Sequence, residues 1–211
     1  MNKQNLGTLT SKSLHERSNT MSKETSALSS WRFKGMGILR IVFGLVWAVD
    51  AWFKWRPDFI HNFESYLQGT LDGQPAAVQS WITFWIHVVN VNPHVFAYLV
   101  AIGETAVAIG LIFGLFSNLT NIVGILLSVV IWATAEGFGG PYTAGSTDIG
   151  AAIIYVLVFV GLYLAKSGLS YGLDGWVASV LERIGLGKLS FLASGRVKQS
   201  ETASQSALSR N

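Results

Sequence analysis

The stretch 95–116, VFAYLVAIGETAVAIGLIFGLF, stays apolar from end to end except around one carboxylate, Glu104, near its middle. It is long enough to cross a bilayer, which takes roughly 20 residues at 1.5 Å each. A helix of this kind has no polar face to turn toward water, so it demands lipid or a large apolar core around it. Three further stretches share the character: 36–55 (MGILRIVFGLVWAVDAWFKW), 122–135 and 149–166. Only 13% of the residues are charged, against about a quarter in a soluble domain. The chain therefore reads as an all-α integral membrane protein whose first partner is the lipid bilayer. It has no Cys, which excludes a disulfide framework, a thiol redox motif, an iron–sulfur cluster and a Cys-type zinc site. The net charge of +3 is spread over tails that apolar runs separate, so no nucleic-acid groove is expected.

Three regions follow. Residues 1–30 are polar and Ser/Thr-rich, and are expected to form a disordered tail. They lack the apolar core of a signal peptide, and Met21 offers a second start. Residues 31–176 hold the four spans, and 177–211 an amphipathic helix and a second disordered tail. The 56–94 connection carries Pro57, Pro75 and Pro93, with an apolar segment at 76–89 too short to cross. That segment reads as a helix lying at the interface or folding back into the bundle. The expected fold is an antiparallel four-helix transmembrane bundle with an interfacial helix in the outer loop. Asn118, Thr120 and Asn121 mark the turn between the second and third spans.

Six Lys/Arg precede the first span and six lie from Lys166 onward, while 56–94 holds only Arg56 and 136–148 none. The positive-inside rule then places both termini in the cytoplasm of a multi-pass cell-membrane protein. Trp47, Trp52, Trp55, Trp81, Trp85 and Trp132 gather toward the other side, as an aromatic belt with a surplus for a pocket. Ala106, Gly110 and Gly114 recur at helical spacing and allow close helix contact.

An ionisable side chain in hydrocarbon costs several kcal/mol unless paired, neutralised or hydrated, so each one calls for a reason. Glu104 reads either as a neutral, hydrogen-bonded carboxyl or as a functional one that exchanges a proton. Asp50 and Lys54, four residues apart, share a helical face and can form a structural ion pair. Arg40, a turn inside the first span, can snorkel to the surface. Counting depth at 1.5 Å per residue puts Glu104 roughly 14 Å and Asp50 roughly 6 Å below the same end of neighbouring helices. With Glu136 and Asp148 bordering the next loop, five such groups can converge on one half of the bundle. Glu136 and Asp148 can equally face water, and Asp148 can open a helix. The 136–145 loop, EGFGGPYTAG, has the backbone freedom to close over a ligand, with Tyr142 beside it. It is not a phosphate loop, because the Gly-Lys-Ser/Thr ending is missing. His15, His61, His87 and His94 all lie outside the spans, so no haem is expected.

The run Leu39-Arg40…Gly44…Lys54, the Glu104…Gly110…Gly114 pattern, the Gly139-Gly140 loop and the closing Ser167-Gly168…Ser170…Leu173-Asp174 together resemble the DoxX/DoxD family. These are small four-helix bacterial and archaeal membrane proteins, with DoxD a subunit of thiosulfate:quinone oxidoreductase. The resemblance covers about 35–176 and places Arg40, Lys54 and Glu104 on the family's recurrent charged positions. The chain departs from the pattern at Asp50, and its long 56–94 connection suggests the DoxD-like branch. The resemblance implies a quinone-linked oxidoreductase subunit with quinone as cofactor, thiosulfate as donor and a second redox subunit as partner. Glu104, Lys54 and Asp50 would then carry the chemistry. Arg40, Trp47, Trp132, Glu136, Tyr142 and Asp148 would surround the cofactor, with no metal. A non-enzymatic scaffold for a redox partner and a small proton-coupled transporter, working as a homo-oligomer, stay open beside it.

Overall fold

The computed structural model describes residues 30–144 and 146–193. Both expected disordered tails, apart from residues 30 and 177–193, lie outside the described residues, as does Gly145 of the loop. Among the described residues every regular element is helical. The longest helices are α1 (Ser30–Lys54) and α5 (Pro93–Phe113), and these two are long and apolar enough to cross a membrane. Between them lie α2 (Pro57–His61), α3 (Phe63–Gln68) and α4 (Ala76–Val89). Then follow α6 (Ser117–Ala133), α7 (Ala151–Leu164) and α8 (Asp174–Arg183). The third and fourth expected spans are thus helices shorter than α1 and α5.

Local chemistry sets the ends of these helices. Pro93 starts α5 with its fixed φ, and the Asn92 side chain accepts from the Val95 N–H at 3.3 Å. Gly114 ends it in the left-handed region at φ 61°, short of the expected Phe116. The turn is therefore Gly114–Phe116, and Asn118, Thr120 and Asn121 belong to α6. Helix α6 starts early because the Asp174 carboxylate accepts from the Ser117 N–H at 3.1 Å and Thr120 Oγ1 donates to the Leu115 carbonyl at 2.9 Å. Helix α7 begins after Gly150, whose φ of 90° suits no other residue well. Helix α8 starts at Asp174, where the sequence DGWVASVLERIGLG reads as a short amphipathic helix, and the Asp174 side chain is buried against α6. Its Val177 and Leu181 pack on Leu115 and Phe116.

Helices α1, α5, α6 and α7 share one core. Phe43 and Trp47 from α1 meet Val107, Ala108 and Leu111 from α5 and Phe159 and Leu162 from α7, while Val123 and Leu127 of α6 pack against the group. Gly44 faces Leu111 and Ile112, Gly110 faces Thr120, and Gly124 faces Phe159. Along each pair the numbers run in opposite directions, so neighbours are antiparallel. The small residues act where the backbones approach. Of the expected trio, Gly110 and Gly114 make such contacts, whereas Ala106 faces outward. The outer surface is apolar: Val42, Val49, Ile102, Ile109, Leu157 and Leu164 are all exposed, while Arg40, Glu104, Asn121, Ser128 and Asp174 are buried.

The 56–92 connection is tied down rather than loose. The last carbonyls of a helix lack intrahelical partners. In α6 they accept from the connection: Trp81 Nε1 donates to the Ala133 carbonyl at 2.9 Å and Thr70 Oγ1 to the Thr134 carbonyl at 3.2 Å. Gln74, buried, donates to the Gly137 carbonyl at 3.2 Å. Leu67, Ile82, Ile86 and Val89 form a second apolar cluster beneath it.

Two glycines in helix interiors test this packing. A Cβ on Gly124 would strike the Phe159 ring, whereas Gly161 has nothing within 4 Å of the same position. Gly124→Ala should lower stability by about 1–3 kcal/mol through overpacking. Gly161→Ala should leave it unchanged or raise it by up to about 1 kcal/mol through helix propensity. Thermal melts of the two variants in one detergent should therefore shift in opposite directions or, at the least, only the first should shift downward.

Candidate functional site

Lys54 closes α1 and stands between two carboxylates. Its Nζ donates to Asp50 Oδ1 at 2.9 Å, one helical turn back, and lies 3.4 Å from Glu104 Oε2 on α5. Antiparallel crossing is what brings the end of α1 to the middle of α5. Trp55 Nε1, donating to Thr105 Oγ1 at 3.0 Å, pins the two helices at that level. The Glu104 side chain is 0% exposed, so without Lys54 its ionised form would have no compensating charge.

The pair lines a cavity of about 740 Å³. This is within the usual size range for small-molecule sites. Its walls come from α1, α5, α6 and α7, and α2, α3 and α4 contribute a largely aromatic roof. Phe59 packs edge-on against Phe63 with centroids 5.3 Å apart and lies near Tyr66 at 5.5 Å. The Lys54 ammonium sits 5.6 Å from the Phe59 ring centre, so the same cation touches two carboxylates and a ring face. Polar atoms are few and several lack partners. Trp47 Nε1, Trp85 Nε1 and Glu104 Oε1 are buried with no hydrogen bond among the described residues, and Glu104 Oε2 has the Lys54 ammonium at 3.4 Å. Buried donors and acceptors in native proteins are nearly always satisfied, so unpartnered ones on a cavity wall mark a place for a ligand or water.

The candidate residues read from the sequence separate into three groups. Asp50, Lys54, Glu104, Trp47 and Glu136 all line the cavity. Glu136 has a structural task as well: its carboxylate accepts from the Ala152 N–H at 3.1 Å, at the start of α7, where helix N–H groups are unsatisfied. Trp132, Tyr142 and Asp148 are not among the lining residues. Trp132 Nε1 donates to the Ile149 carbonyl at 2.8 Å and Tyr142 Oη to the Phe138 carbonyl at 2.6 Å. Asp148 accepts from the Gly150 N–H at 2.8 Å, two residues on, so the expected convergence of five acidic and basic groups stops at four.

Arg40 is neither at the surface nor at the cavity. It lies 14 positions before Lys54 on α1, about 21 Å along the helix. Its side chain is 1% exposed, and its Nη2 donates to the Tyr171 carbonyl at 3.0 Å and the Ser170 carbonyl at 3.3 Å. Asp174 is its neighbouring opposite charge. Snorkelling is unnecessary because the chain folds back over it, and a Cβ at Gly114 would collide with its guanidinium. The cavity also holds residues that sequence reasoning passed over as site groups: Trp85, Tyr155 and the Phe59–Tyr66 roof. An aromatic in an apolar run carries no mark that it faces a cavity. The available signals are the prolines around 56–94, which keep the connection in short helical pieces, and the surplus of Trp on this side, Trp85 among them.

Among the described residues, an all-helical fold with two membrane-length helices and a buried carboxylate paired with a lysine in a largely apolar cavity is the class that the fold and site define. Residues 35–137 match the model of the DoxX family. This interval includes Arg40, Asp50, Lys54, Glu104 and Glu136, and it ends before α7. No curated protein and no solved structure matches the chain.

A double-mutant cycle tests the pair. Lys54→Met, which strands the Glu104 carboxylate, should cost about 3 kcal/mol or more of stability. Combining it with Glu104→Leu should recover most of that loss, because both charges are then gone. Unfolding in mixed micelles would read both values, and additive losses would show that the two side chains do not interact.

Proposed function

We propose that the chain is a multi-pass membrane protein of the DoxX type, in which α1, α5, α6 and α7 cross the bilayer as an antiparallel four-helix bundle. The apolar outer surface and buried charges support this. An aqueous protein distributes these groups the other way. In this reading α4 lies with α2 and α3 at one interface of the cell membrane. Arg32, Lys34 and Lys166, at the opposite pole, face the cytoplasm with both termini.

The cavity then serves a quinone-linked oxidoreductase, with this chain as the membrane subunit. The observation that carries the reading is the set of unpartnered Trp47 and Trp85 N–H groups and Glu104 Oε1, with Oε2 against Lys54, in a largely apolar pocket roofed by α2, α3 and α4. A quinone head group is a flat apolar ring bearing acceptor oxygens at its two ends, and this wall supplies donors and ring faces of the matching kind. A bound quinone would supply two-electron, two-proton redox chemistry, with electrons from a second, redox-active subunit. Thiosulfate as the ultimate donor is the finest part of the reading and rests on the family resemblance alone. The chain's own residues have narrower tasks. Trp47, Trp85 and Lys54 orient the head group through N–H donors. Glu104 holds or releases a proton at its carboxyl, and the Phe59–Tyr66 roof excludes water.

Quinone binding to the protein in nanodiscs should be saturable. Glu104→Gln and Trp85→Phe should each weaken it about tenfold, the cost of one lost hydrogen bond to a buried partner. Absence of binding by the wild type, or equal binding by all three forms with matched thermal melts, would remove the quinone site. The scaffold reading would then take its place.

A further inference from the structure

Three of the charged groups that line the cavity form a staircase in exposure. The Asp50 side chain is 42% exposed, Lys54 19% and Glu104 0%. The contacts follow the same order, 2.9 Å from Asp50 to Lys54 and 3.4 Å from Lys54 to Glu104. Asp50 thus reaches the open space of the cavity, Glu104 does not, and the ammonium bridges them. In the other direction the bundle is shut. Phe43, Trp47, Leu111, Phe159 and Leu162 fill the interior between the cavity and the Arg40 pole. The buried polar groups Asn121 and Ser128 on α6 do not bypass this plug, because Gly124 lies between them and is covered by the Phe159 ring.

From this we infer that Asp50 and Lys54 form the proton relay by which Glu104 exchanges with water, and that the relay opens only to the side of α2–α4. The inference rests on Glu104 as the proton-exchanging group of the proposed function and does not need a quinone. The step balances without electrons. The Asp50 carboxylate takes a proton from hydronium in the cavity, the Lys54 ammonium gives one to the Glu104 carboxylate, and the resulting amine takes the Asp50 proton, so that Asp50 and Lys54 return to their starting states and one proton is added at Glu104. The other titratable groups lining the cavity are Glu136 and Tyr155 on the wall and Arg56, Asp58 and Tyr66 in the roof region. Glu136 is held at the α7 N-terminus by the Ala152 N–H, so Tyr155 is the rival relay.

The test uses the full chain without ligand in nanodiscs and follows the infrared carboxyl band that Glu104→Gln abolishes, at a pH where it is present. After transfer to heavy water, its isotope shift should slow by on the order of 10²-fold in Asp50→Asn. Asp50→Glu should restore the wild-type rate, and Tyr155→Phe should keep it. Unchanged exchange in Asp50→Asn, slowing in Tyr155→Phe alone, or absence of any such band wherever the protein stays folded would each overturn the relay. Sidedness is read in proteoliposomes. Because the chain has no Cys, a single one in Asn62→Cys reports orientation by labelling with an impermeant maleimide. The band should titrate with the pH on the Asn62 side, and titration from the other side would overturn the one-sided route. Quinone binding measured on the same samples separates the two proposals, since the exchange result does not depend on it.

Discussion

Lys54 does for this chain what no packing contact could. A carboxylate in the middle of an apolar helix carries a desolvation cost of several kcal/mol, and α5 has no cation of its own among its interior residues. The compensating charge must come from another helix and arrive at the right depth. Antiparallel crossing with α1 meets both needs, because it sets the end of α1 beside the middle of α5. The close Gly44 contact and the Trp55–Thr105 hydrogen bond hold that register. The cavity, its roof and the Asp50 contact are all arranged around the point where these two helices meet.

A second buried charge is handled differently at the other pole. Arg40 is surrounded by the backbone carbonyls of Ser170 and Tyr171, the opposite charge of Asp174 and the bare edge of Gly114. Asp174 in turn accepts from the first N–H of α6. There the polar groups are drawn into tight contact and tie the end of the chain to the bundle. At the Lys54 pole the polar groups line open space. The two poles have similar residue types and opposite packing, which is why only one of them is a candidate site.

The sequence carried the long helices and the Asp50, Lys54 and Glu104 group plainly, because a charge in an apolar run has few places to go. Helix ends were displaced where the deciding contact came from far along the chain. The start of α6 is the case in point: Ser117 is held by Asp174, whose carboxylate no local pattern links to it. For Arg40 the sensible local solution is snorkelling, and residues 170–174, far along the chain, fold over it instead. Position beside α7 suggests that Asp148 joins the site, and its local hydrogen bond to Gly150 holds it elsewhere. Rings such as Trp85 and Tyr155 look identical in sequence whether they face a core, lipid or a cavity.

The charge count of the central group bears on what it can do. Two carboxylates and one ammonium leave a single net negative charge in apolar surroundings, which burial disfavours. Gaining one proton makes the group neutral, the state such surroundings tolerate best. A second proton would leave Lys54 as a buried cation with no counter-charge beyond the Phe59 ring, and a ring face is a weaker partner than a carboxylate. In the proposed relay this arrangement would hold one exchangeable proton and resist a second. A site for moving protons in bulk would need a further carboxylate at the same depth, and Glu136, another carboxylate on the cavity wall, is already committed to the start of α7.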